Sequence, residues 1–431
     1  MNELTNIIDE LIPPPIFSDG ERHDLLETCS LMFNDAVVQE PGLFAEPTFN
    51  EVIQQRVLAL LLETLGYDTI DFYTLEAVQL VLTEAFEVYS TTHDIRSFPR
   101  TMVLNLPNVD QMKEHIAHLE EIPQPDQRTN EWYTFRHRYL TASSIWKVFG
   151  TPRTQNELIY DKCKPIDVTK YATVNTESPL HWGQKYEPVS VEWYERKNTT
   201  NVSDFGCLPH PNITYLAASP DGIVTDSTSD RFGRMLEIKN IVNRDITGIP
   251  KKEYWIQVQL QMEVCELEEC DFLETRFKEY ESHAEFASDG TFTHTADGKL
   301  KGCMLYFNNE GSPLYEYAPL GIQEAEYESW EVSMLAKHEG LTLVRTIYWR
   351  LDEVSCVLVL RNRTWFQHVL PTLDEFWAKI EHDRVNGYEH RAPNRKKKAA
   401  EEPPKQCMID VNTLETGTTN HVVFDIDTHD S

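Results

Sequence analysis

The sequence predicts an α/β protein in which a helical N-terminal domain precedes a core made of a mixed central sheet flanked by helices. Three patterns support this fold class. Apolar residues recur at three- and four-residue spacing through residues 1–120, helix and strand patterns alternate over 128–318, and an apolar stripe at helical spacing follows. With 431 residues, of which 41% are hydrophobic, the chain is large enough to bury a core in both regions.

The predicted N-terminal domain, residues 1–120, is helical and strongly acidic. Its helices are expected at 21–38, 51–65, 74–89 and 108–122. Residues 1–125 carry 22 acidic and 5 basic side chains, which accounts for more than half of the net charge of −31. The stretch Glu121–Gln127 contains two prolines and is the expected linker to the core.

The predicted core spans residues 128–318. Its helices are expected at 131–149, with a break near Leu140, at 183–197 and at 252–266. Its strands are expected at 214–218, 222–225, 234–240, 271–277, 302–307 and 314–318. We therefore expect the sheet to be assembled from short strands separated by helices.

Two further segments follow the core. Residues 319–386 are expected to form a C-terminal helical extension that packs on the core. Its apolar stripe consists of Trp365, Val369, Leu373, Phe376, Trp377 and Ile380. Residues 387–431 are polar and are predicted to be a disordered tail, whose basic run over 391–398 is either a nuclear-localisation or DNA-tethering element or a solvating segment.

Composition excludes several classes of protein. The longest unbroken aliphatic run, Val57–Leu62, is too short to cross a bilayer. The N-terminus has no basic segment followed by an apolar one, so no secretory signal is expected. The eight cysteines contain no C-x-x-C pair, which disfavours a structural zinc or an iron–sulfur cluster and favours reduced thiols. We expect a soluble intracellular protein with no membrane contact.

The charge distribution favours local capture of phosphate over coating of nucleic acid. An acidic surface repels phosphate in general. Residues 128–153 are an exception, because they carry five basic side chains against Glu131 alone. These are Arg128, Arg136, Arg138, Lys147 and Arg153. Such a patch is either a local anion site or an ordinary fluctuation in composition, and the motifs that follow favour the first interpretation.

Two short motifs bring together the side chains needed for metal-dependent chemistry. They are Ser219-Pro220-Asp221-Gly222 and Leu236-Glu237-Ile238-Lys239. Because residues two apart in a strand point to the same face, Glu237 and Lys239 are expected to project together. The polar loop between the motifs allows Asp221 to lie on the adjacent strand of one hairpin. Two carboxylates beside an ammonium group form a hard-oxygen site suited to Mg²⁺.

Two predicted helices add polar groups to these motifs. Glu187 lies in the segment GQKYEP, on a helix before the sheet, and Gln257 and Gln261 share one helix face with Tyr254 after the second motif. A Glu–Lys pair on an edge strand, or an Asp-Gly turn, is common when it occurs alone. Their combination with these helices, in this order, favours an active site.

The motifs together resemble the lambda-exonuclease/YqaJ-like viral recombinase family within the PD-(D/E)xK nuclease superfamily. The resemblance runs from about Arg128 to Phe307. It is carried by Trp132 to Arg136 with Thr141-Ala142-Ser143, by GQKYEP, by the two motifs, and by the helix containing Gln257-Val258-Gln259. This family implies a restriction-endonuclease-like core and a metal-dependent DNA exonuclease that uses Mg²⁺, with Mn²⁺ expected to substitute.

The resemblance also implies roles at the metal. Asp221, Glu237 and the backbone carbonyl of Ile238 would bind the catalytic ion. Lys239 would be the catalytic lysine, and Glu187 would be the helix carboxylate near the metal. The family has a further carboxylate shortly before the first motif, whereas residues 209–214 here contain no acid and one histidine, His210. A second metal site therefore stays open.

Further residues match positions that contact the substrate. The resemblance places Gln257 near the attacking water. It matches Arg136, Ser143 and Ser219 to the positions that hold the terminal 5′-phosphate of DNA. An arginine fork with two hydroxyls is a suitable anion pocket. Arg138 either assists this pocket or faces solvent.

The activity that the resemblance implies is digestion of the 5′-ended strand of linear double-stranded DNA. The product would carry 3′ overhangs for recombination or repair of viral DNA, in the host cytoplasm or nucleus. A single-strand annealing protein and a homo-oligomer are the expected partners. The alternatives are a structure-specific or restriction-like endonuclease with the same chemistry, and a non-catalytic protein that binds DNA ends.

Overall fold

Strands in the described part of the chain form two sheets, which together position the candidate site. The structure is a computed structural model that describes residues 16–66, 69–92, 95–167, 175–176 and 178–393. In chain order the strands are β1 Leu140–Thr141, β2 Val202–Ser203, β3 Leu208–Pro209, β4 Leu216–Ala218, β5 Gly222–Val224, β6 Met235–Asn240, β7 Glu269–Glu279, β8 Lys301–Asn309, β9 Ser312–Tyr317 and β10 Thr342–Leu360. A seven-stranded sheet has the order β2-β5-β6-β7-β10-β8-β9, and a three-stranded sheet has the order β1-β4-β3.

Helices cover the sheets and form the N-terminal region. In chain order those of the described residues are α1 Asp19–Gln39, α2 Phe49–Thr64, α3 Phe72–Thr92, α4 Val109–Glu121, α5 Asn130–His137, α6 Ala142–Ile145, α7 Pro152–Cys163, α8 Pro179–Asn198, α9 Lys252–Cys265, α10 His283–Ser288, α11 Glu324–Lys337 and α12 Arg363–Asn386. The architecture is thus a mixed sheet flanked by helices behind a helical N-terminal region, which confirms the predicted fold class.

The seven-stranded sheet is mixed because one pair of neighbours, β6 and β7, is parallel, whereas its other neighbours are antiparallel. Parallel neighbours cannot be joined by a tight turn and need a crossover connection. Helix α9 makes this crossover, and ten of its residues, from Trp255 to Cys265, are buried. This crossover brings the glutamines of α9 to the end of β6 that carries the second motif.

The first motif lies where the chain passes from the small sheet to the large one. Strand β4 ends at Ala218 and β5 begins at Gly222, so Ser219, Pro220 and Asp221 form the connection. Strand β1 pairs with β4 in parallel, with Thr141 opposite Ala217. The two sheets therefore meet at the first motif.

The four N-terminal helices agree with the four predicted segments. Helix α1 begins with a capping box, in which the Ser18 side chain accepts from the Glu21 N–H and the Glu21 carboxylate accepts from the Ser18 N–H. Phe33 and Ile53 are fully buried between the helices. The chain then runs along the large sheet, where the Phe98 N–H donates to the Leu358 carbonyl at 2.8 Å.

The segment 319–386, expected to be a helical extension, contains a long strand as well as helices. Strand β10 lies inside the large sheet and pairs with both β7 and β8. Its interrupted alternation explains why the sequence did not reveal it, because the charged residues Asp352 and Glu353 fall at a register shift in the pairing. The apolar stripe on α12 is confirmed, with Leu373 and Ile380 among its buried members.

Residues 394–431, which include most of the predicted tail and its basic run, lie outside the described residues. Before them, Glu389–Arg391 form a short 3₁₀ turn, and the Arg391 Nε donates to Asp383 at 2.9 Å. Within the described ranges, no helix combines the length and apolar character that crossing a membrane requires.

Candidate active site

One cavity of about 780 Å³ collects the residues that the sequence singled out. We call it the site cavity. All nine predicted residues line it, namely Arg136, Ser143, Glu187, Ser219, Asp221, Glu237, Ile238, Lys239 and Gln257. They come from α5, α6, α8, the β4–β5 connection, β6 and α9. Residues that are far apart in the chain therefore meet around one space.

The register of β5 and β6 places Asp221 beside the second motif. Gly222 lies opposite Leu236, and the N–H of Ile238, two residues after Leu236, donates to Asp221 Oδ2 at 2.7 Å. In a strand the N–H and the carbonyl of one residue point to the same edge. The Ile238 carbonyl therefore points to the edge of β6 that faces Asp221. Asp221 lies just before β5, which begins at Gly222.

Glu237 is the most enclosed carboxylate of the site cavity, and it accepts from three side chains. Its side chain is fully buried. Gln257 Nε2 donates to Oε1 and Gln261 Nε2 donates to Oε2, both at 2.6 Å. Lys239 Nζ also donates to Oε1. Because the two glutamines are four residues apart, one face of α9 presents both amides to the same carboxylate.

Three charged side chains, those of Asp221, Glu237 and Lys239, lie together in the site cavity. Burial and the nearby Glu237 raise the pKa of Asp221 well above its ordinary value, although Lys239 and the Ile238 N–H oppose the change. Burial lowers the pKa of the Lys239 ammonium, but the carboxylates of Glu237 and Asp221 outweigh it and raise that pKa above the usual range. The lysine is thus held in its charged form by the acids.

Helix α8 supplies Glu187 and is anchored to β6 close to it. Asn240 Nδ2 donates to the Gly183 carbonyl at 2.7 Å, and the Ser190 hydroxyl donates to Asn240 Oδ1 at 2.8 Å. Arg128 Nη2 donates to Glu187 at 2.7 Å. Burial raises the pKa of Glu187, and the paired Arg128 opposes that rise. Glu187 therefore lies at the rim of the acid cluster with a cation of its own.

The oxygen donors of the site cavity fit a Mg²⁺ ion in type. Asp221, Glu237 and the Ile238 carbonyl offer hard oxygens, and Mg²⁺ is commonly bound by one or two carboxylates with several waters. Among the described residues, no group of three or more acidic, histidine or cysteine side chains could hold an ion by itself. His210 lies elsewhere, since its Nδ1 accepts from the Asn212 N–H at 3.0 Å within its own loop.

The other end of the site cavity is an arginine with two hydroxyls, which we call the arginine–serine pocket. Arg136 Nη2 donates to Ser143 Oγ at 2.7 Å, and Nη1 donates to Ser219 Oγ at 3.3 Å. The parallel register of β1 and β4 carries Ser143 alongside Ser219. The Arg136 guanidinium carbon lies 4.2 Å from the ring centroid of Trp132, which precedes it by one turn of α5. These donors fit an anion.

Sequence reasoning missed three contributors to this geometry. Spacing places Gln261 on the Gln257 face without indicating a role, and in the structure Gln261 donates to the second oxygen of Glu237. Composition identifies Arg128 as part of the cationic patch, and in the structure it pairs with Glu187. The Lys239 ammonium nitrogen lies 5.1 Å from the ring centroid of Tyr254. Helical spacing places Gln261 and Tyr254 on one face of α9, whereas the partners of all three residues depend on the tertiary fold.

Comparison with known proteins finds a family model whose matched range includes the nine predicted site residues. Residues 131–268 match the family model described as YqaJ-like viral recombinase domain. The chain is 30% identical over 334 residues to the uncharacterized protein R354 of Acanthamoeba polyphaga mimivirus. This match covers 68% of the chain and 57% of the relative, so the chain spans little more than half the length of that relative.

Two solved structures also show some likeness to the chain. An alkaline exonuclease, LHK-Exo, from Laribacter hongkongensis gives a TM-score of 0.35 at 19% identity, over 60% of this chain and 95% of that protein. A phage-related exonuclease from Haemophilus somnus 129PT gives a TM-score of 0.28 at 12% identity, with the same coverage of both chains.

Proposed function

We propose that the protein is a Mg²⁺-dependent deoxyribonuclease, because residues 131–268 match the family model described as YqaJ-like viral recombinase domain. It would digest the 5′-ended strand of linear double-stranded DNA and leave 3′ overhangs for recombination or repair. One observation carries this proposal. Asp221, Glu237 and Lys239, which we call the acid–lysine cluster, line the same cavity as the arginine–serine pocket. A strand end held in the pocket would therefore present a phosphodiester to the cluster.

The acid–lysine cluster supplies the groups that hydrolysis of a phosphodiester requires. Asp221, Glu237 and the Ile238 carbonyl would hold the ion. Bound Mg²⁺ supplies positive charge that stabilises the scissile phosphate and promotes ionisation of the attacking water. Lys239, kept charged by its carboxylate neighbours, would stabilise the charge that develops on the phosphate. Gln257 would orient Glu237, to which it donates.

Occupation by an ion would require Glu237 to exchange a partner. Both of its oxygens already accept from side chains of Lys239, Gln257 and Gln261. Lys239 is the partner best placed to move, since it is on the same strand and 20% of its side chain is exposed. Its ammonium would then be free to turn toward the substrate while both glutamines keep the carboxylate in place.

The arginine–serine pocket is the feature that favours dependence on a DNA end. A terminal 5′-phosphate carries more negative charge than an internal phosphodiester and offers three oxygens, which suits an arginine fork with two hydroxyls. The Trp132 ring packs against Arg136 and limits where the guanidinium can lie. The resulting 3′ overhang is the form of DNA that a single-strand annealing protein would take up, and such a protein is the partner that this product would need.

The proposal is tested with a linear, 5′-labelled duplex and a covalently closed circle of the same sequence. Wild-type protein should degrade the linear DNA only when Mg²⁺ is present and should spare the circle. The variant Asp221→Asn should remain folded and bind duplex ends but should not cut. If wild-type protein cleaved the circle as fast as the linear DNA, it would be an endonuclease. If wild-type protein bound duplex ends without cutting them, it would be an end-binding protein. Either result would overturn the proposal.

A further inference from the structure

A second cavity, of about 410 Å³, adjoins the site cavity at the arginine–serine pocket. We call it the lysine cavity. The two cavities share Trp132, Arg136 and Ser143 in their linings. The lysine cavity then continues between α5, α6 and the C-terminal end of α7, away from the acid–lysine cluster. Its volume lies within the range that accommodates a nucleotide-sized ligand.

The lysine cavity is cationic on a protein with a net charge of −31. Four cations line it, namely Arg136, Lys147, Lys162 and Lys164, against the two carboxylates of Asp161 and Asp167. None of these three lysines forms an ion pair with a carboxylate within the described ranges of the chain, whereas Lys239, Lys252 and Lys299 all do. Because the sequence has 70 acidic side chains, three neighbouring lysines without a carboxylate partner are unexpected. Their positive charge favours binding of an anion in the lysine cavity.

Lys162 is the buried member of this group. Only 9% of the residue is exposed, and its Nζ donates to the backbone carbonyl of Arg136 at 2.9 Å. Burial and the nearby cations Arg136 and Arg384 lower the pKa of Lys162 to about 7, with only weak opposition from Cys207 and Asp161. An anion bound beside these cations would relieve their mutual repulsion.

Neutral donors complete the lining. Thr141, Ser143 and Ser144 line the lysine cavity, and the Thr141 and Ser144 hydroxyls lie 3.1 Å from each other. The buried indole Nε1 of Trp132 has no hydrogen-bond partner among the described residues. Hydroxyl and indole donors beside lysines suit phosphate oxygens together with a sugar.

We propose that the lysine cavity is a subsite for a nucleotide that extends the 5′ strand beyond the arginine–serine pocket. This inference rests on the proposed function and adds a substrate class to it, namely duplex DNA with a short single-stranded 5′ extension. On such DNA an internal phosphate would lie at Arg136, and the terminal phosphate would lie among Lys147, Lys162 and Lys164.

The position of the scissile bond then fixes the product. Hydrolysis adds water across the bond between phosphorus and the 3′ oxygen, leaving a 3′-hydroxyl on the released piece and a 5′-phosphate on the shortened strand. When the terminal phosphate lies at Arg136, the length of the released piece is set by the separation between the arginine–serine pocket and the acid–lysine cluster. With the terminal phosphate in the lysine cavity it is one nucleotide longer, and the next 5′ end can bind at Arg136.

The test compares 5′-phosphorylated duplexes that are blunt or carry a 5′ overhang of one nucleotide. The double variant Lys147→Ala/Lys164→Ala removes two of the unpaired cations. The control Lys113→Ala/Lys197→Ala removes the same charge at exposed positions outside both cavities. Cleavage rate and length of the first product are measured for each chain on each duplex.

Wild-type and control proteins should cut both duplexes and release from the overhang a first product one nucleotide longer. The double variant should lose about tenfold or more in rate on the overhang while staying within about twofold on the blunt end. Equal losses on both duplexes, or no loss on either, would overturn the subsite.

A binding measurement separates this result from a failure of the proposed function. Fluorescence anisotropy without divalent ions reports affinity for each duplex whether or not the protein cuts DNA. The double variant should bind the overhang about tenfold more weakly than the control does, with blunt-end affinity kept. Unchanged affinity of the double variant for the overhang duplex would reject the subsite even if nuclease activity is present. If inorganic phosphate competed equally with both duplexes, the lysine cavity would be a site for free phosphate and the subsite would also be rejected.

Discussion

Two lysines, the partly exposed Lys239 and the buried Lys162, contribute to neighbouring cavities in opposite electrostatic surroundings. Lys239 donates to Glu237 and lies near Asp221, and these acids raise its pKa despite burial. Lys162 donates to a backbone carbonyl, that of Arg136, and burial together with two arginines lowers its pKa to about 7. The first lysine is paired with a carboxylate, whereas the second forms no ion pair with a carboxylate among the described residues.

This difference explains how so acidic a protein could act on a polyanion. At the acid–lysine cluster, negative charge exceeds positive charge, and a divalent cation would restore the balance. At the arginine–serine pocket and the lysine cavity, positive charge is in excess, and phosphate would restore it. Within the described ranges, the cations of these two sites lie where a strand end would bind, so binding of that end does not require contact with the acidic N-terminal helices.

The largest effect is expected from removing the paired lysine. Lys239→Met should reduce the rate of cleavage of a 5′-labelled duplex by about 100- to 1,000-fold, because a charge aimed at the transition state would be lost. Single-turnover rates at saturating protein give this directly. Lys252→Met is the matched control, since Lys252 lies at the start of α9 and pairs with Glu46 at the surface. A rate within about tenfold of wild type would remove Lys239 from the chemistry.

A smaller effect, and a selective one, is expected at the arginine–serine pocket. Arg136→Ala should slow digestion of 5′-phosphorylated ends by about 10- to 100-fold, as lost charge-assisted hydrogen bonds of about 1.5–3 kcal/mol would give. Ends with a 5′-hydroxyl should be slowed much less, so the preference for phosphate should shrink. Arg138→Ala is the control, since Arg138 is exposed and does not line the site cavity. An unchanged preference would show that the pocket does not hold the terminal phosphate.

Two glutamines on α9 allow the orientation of Glu237 to be separated from packing. Gln261 donates to Glu237, whereas Gln259, also buried, bonds the backbone of Leu360 and Asn362. Both Gln261→Leu and Gln259→Leu should lower the free energy of unfolding by about 1–3 kcal/mol, because each leaves a buried group unpaired.

Only the Gln261→Leu variant should also need more Mg²⁺ for half-maximal activity, by about tenfold, since it alone loosens a proposed metal ligand. Chemical denaturation gives the stability change, and a Mg²⁺ titration of activity gives the second quantity. The same Mg²⁺ requirement in both variants would mean that the Glu237–Gln261 bond contributes only to packing.

The sequence predicted the groups of the site better than their partners. Period-two alternation placed Glu237 and Lys239 on one face, and helical spacing placed Gln257 and Gln261 on another, because both periodicities are local properties of the chain. The bond from Arg128 to Glu187 depends on how α8 packs, so no local pattern revealed it. Strand β10 escaped prediction for a related reason, since it reads as a strand only once β7 and β8 lie on either side of it.

A pH-dependent effect isolates the contribution of Lys162. Since the folded protein binds the Lys162 proton with a pKa of about 7, whereas an unfolded chain binds it with a pKa of about 10.4, the unfolded state carries more protons between these values. The unfolding free energy of wild type should therefore rise with pH over that window, by at most about 1.4 kcal/mol per pH unit from this group.

Lys162→Met keeps most of the apolar stem and removes the titrating group. We expect wild type to gain stability relative to this variant as pH rises from about 7 to about 9, and we expect no relative change below about pH 6, where both states are protonated. Urea denaturation at these pH values measures the difference, with Lys113→Met as the control for loss of one positive charge. A phosphorylated oligonucleotide should weaken the pH dependence of this stability difference, because it favours the protonated lysine. A stability difference that does not change with pH in the absence of the oligonucleotide would mean that Lys162 stays protonated throughout and already has a counter-charge.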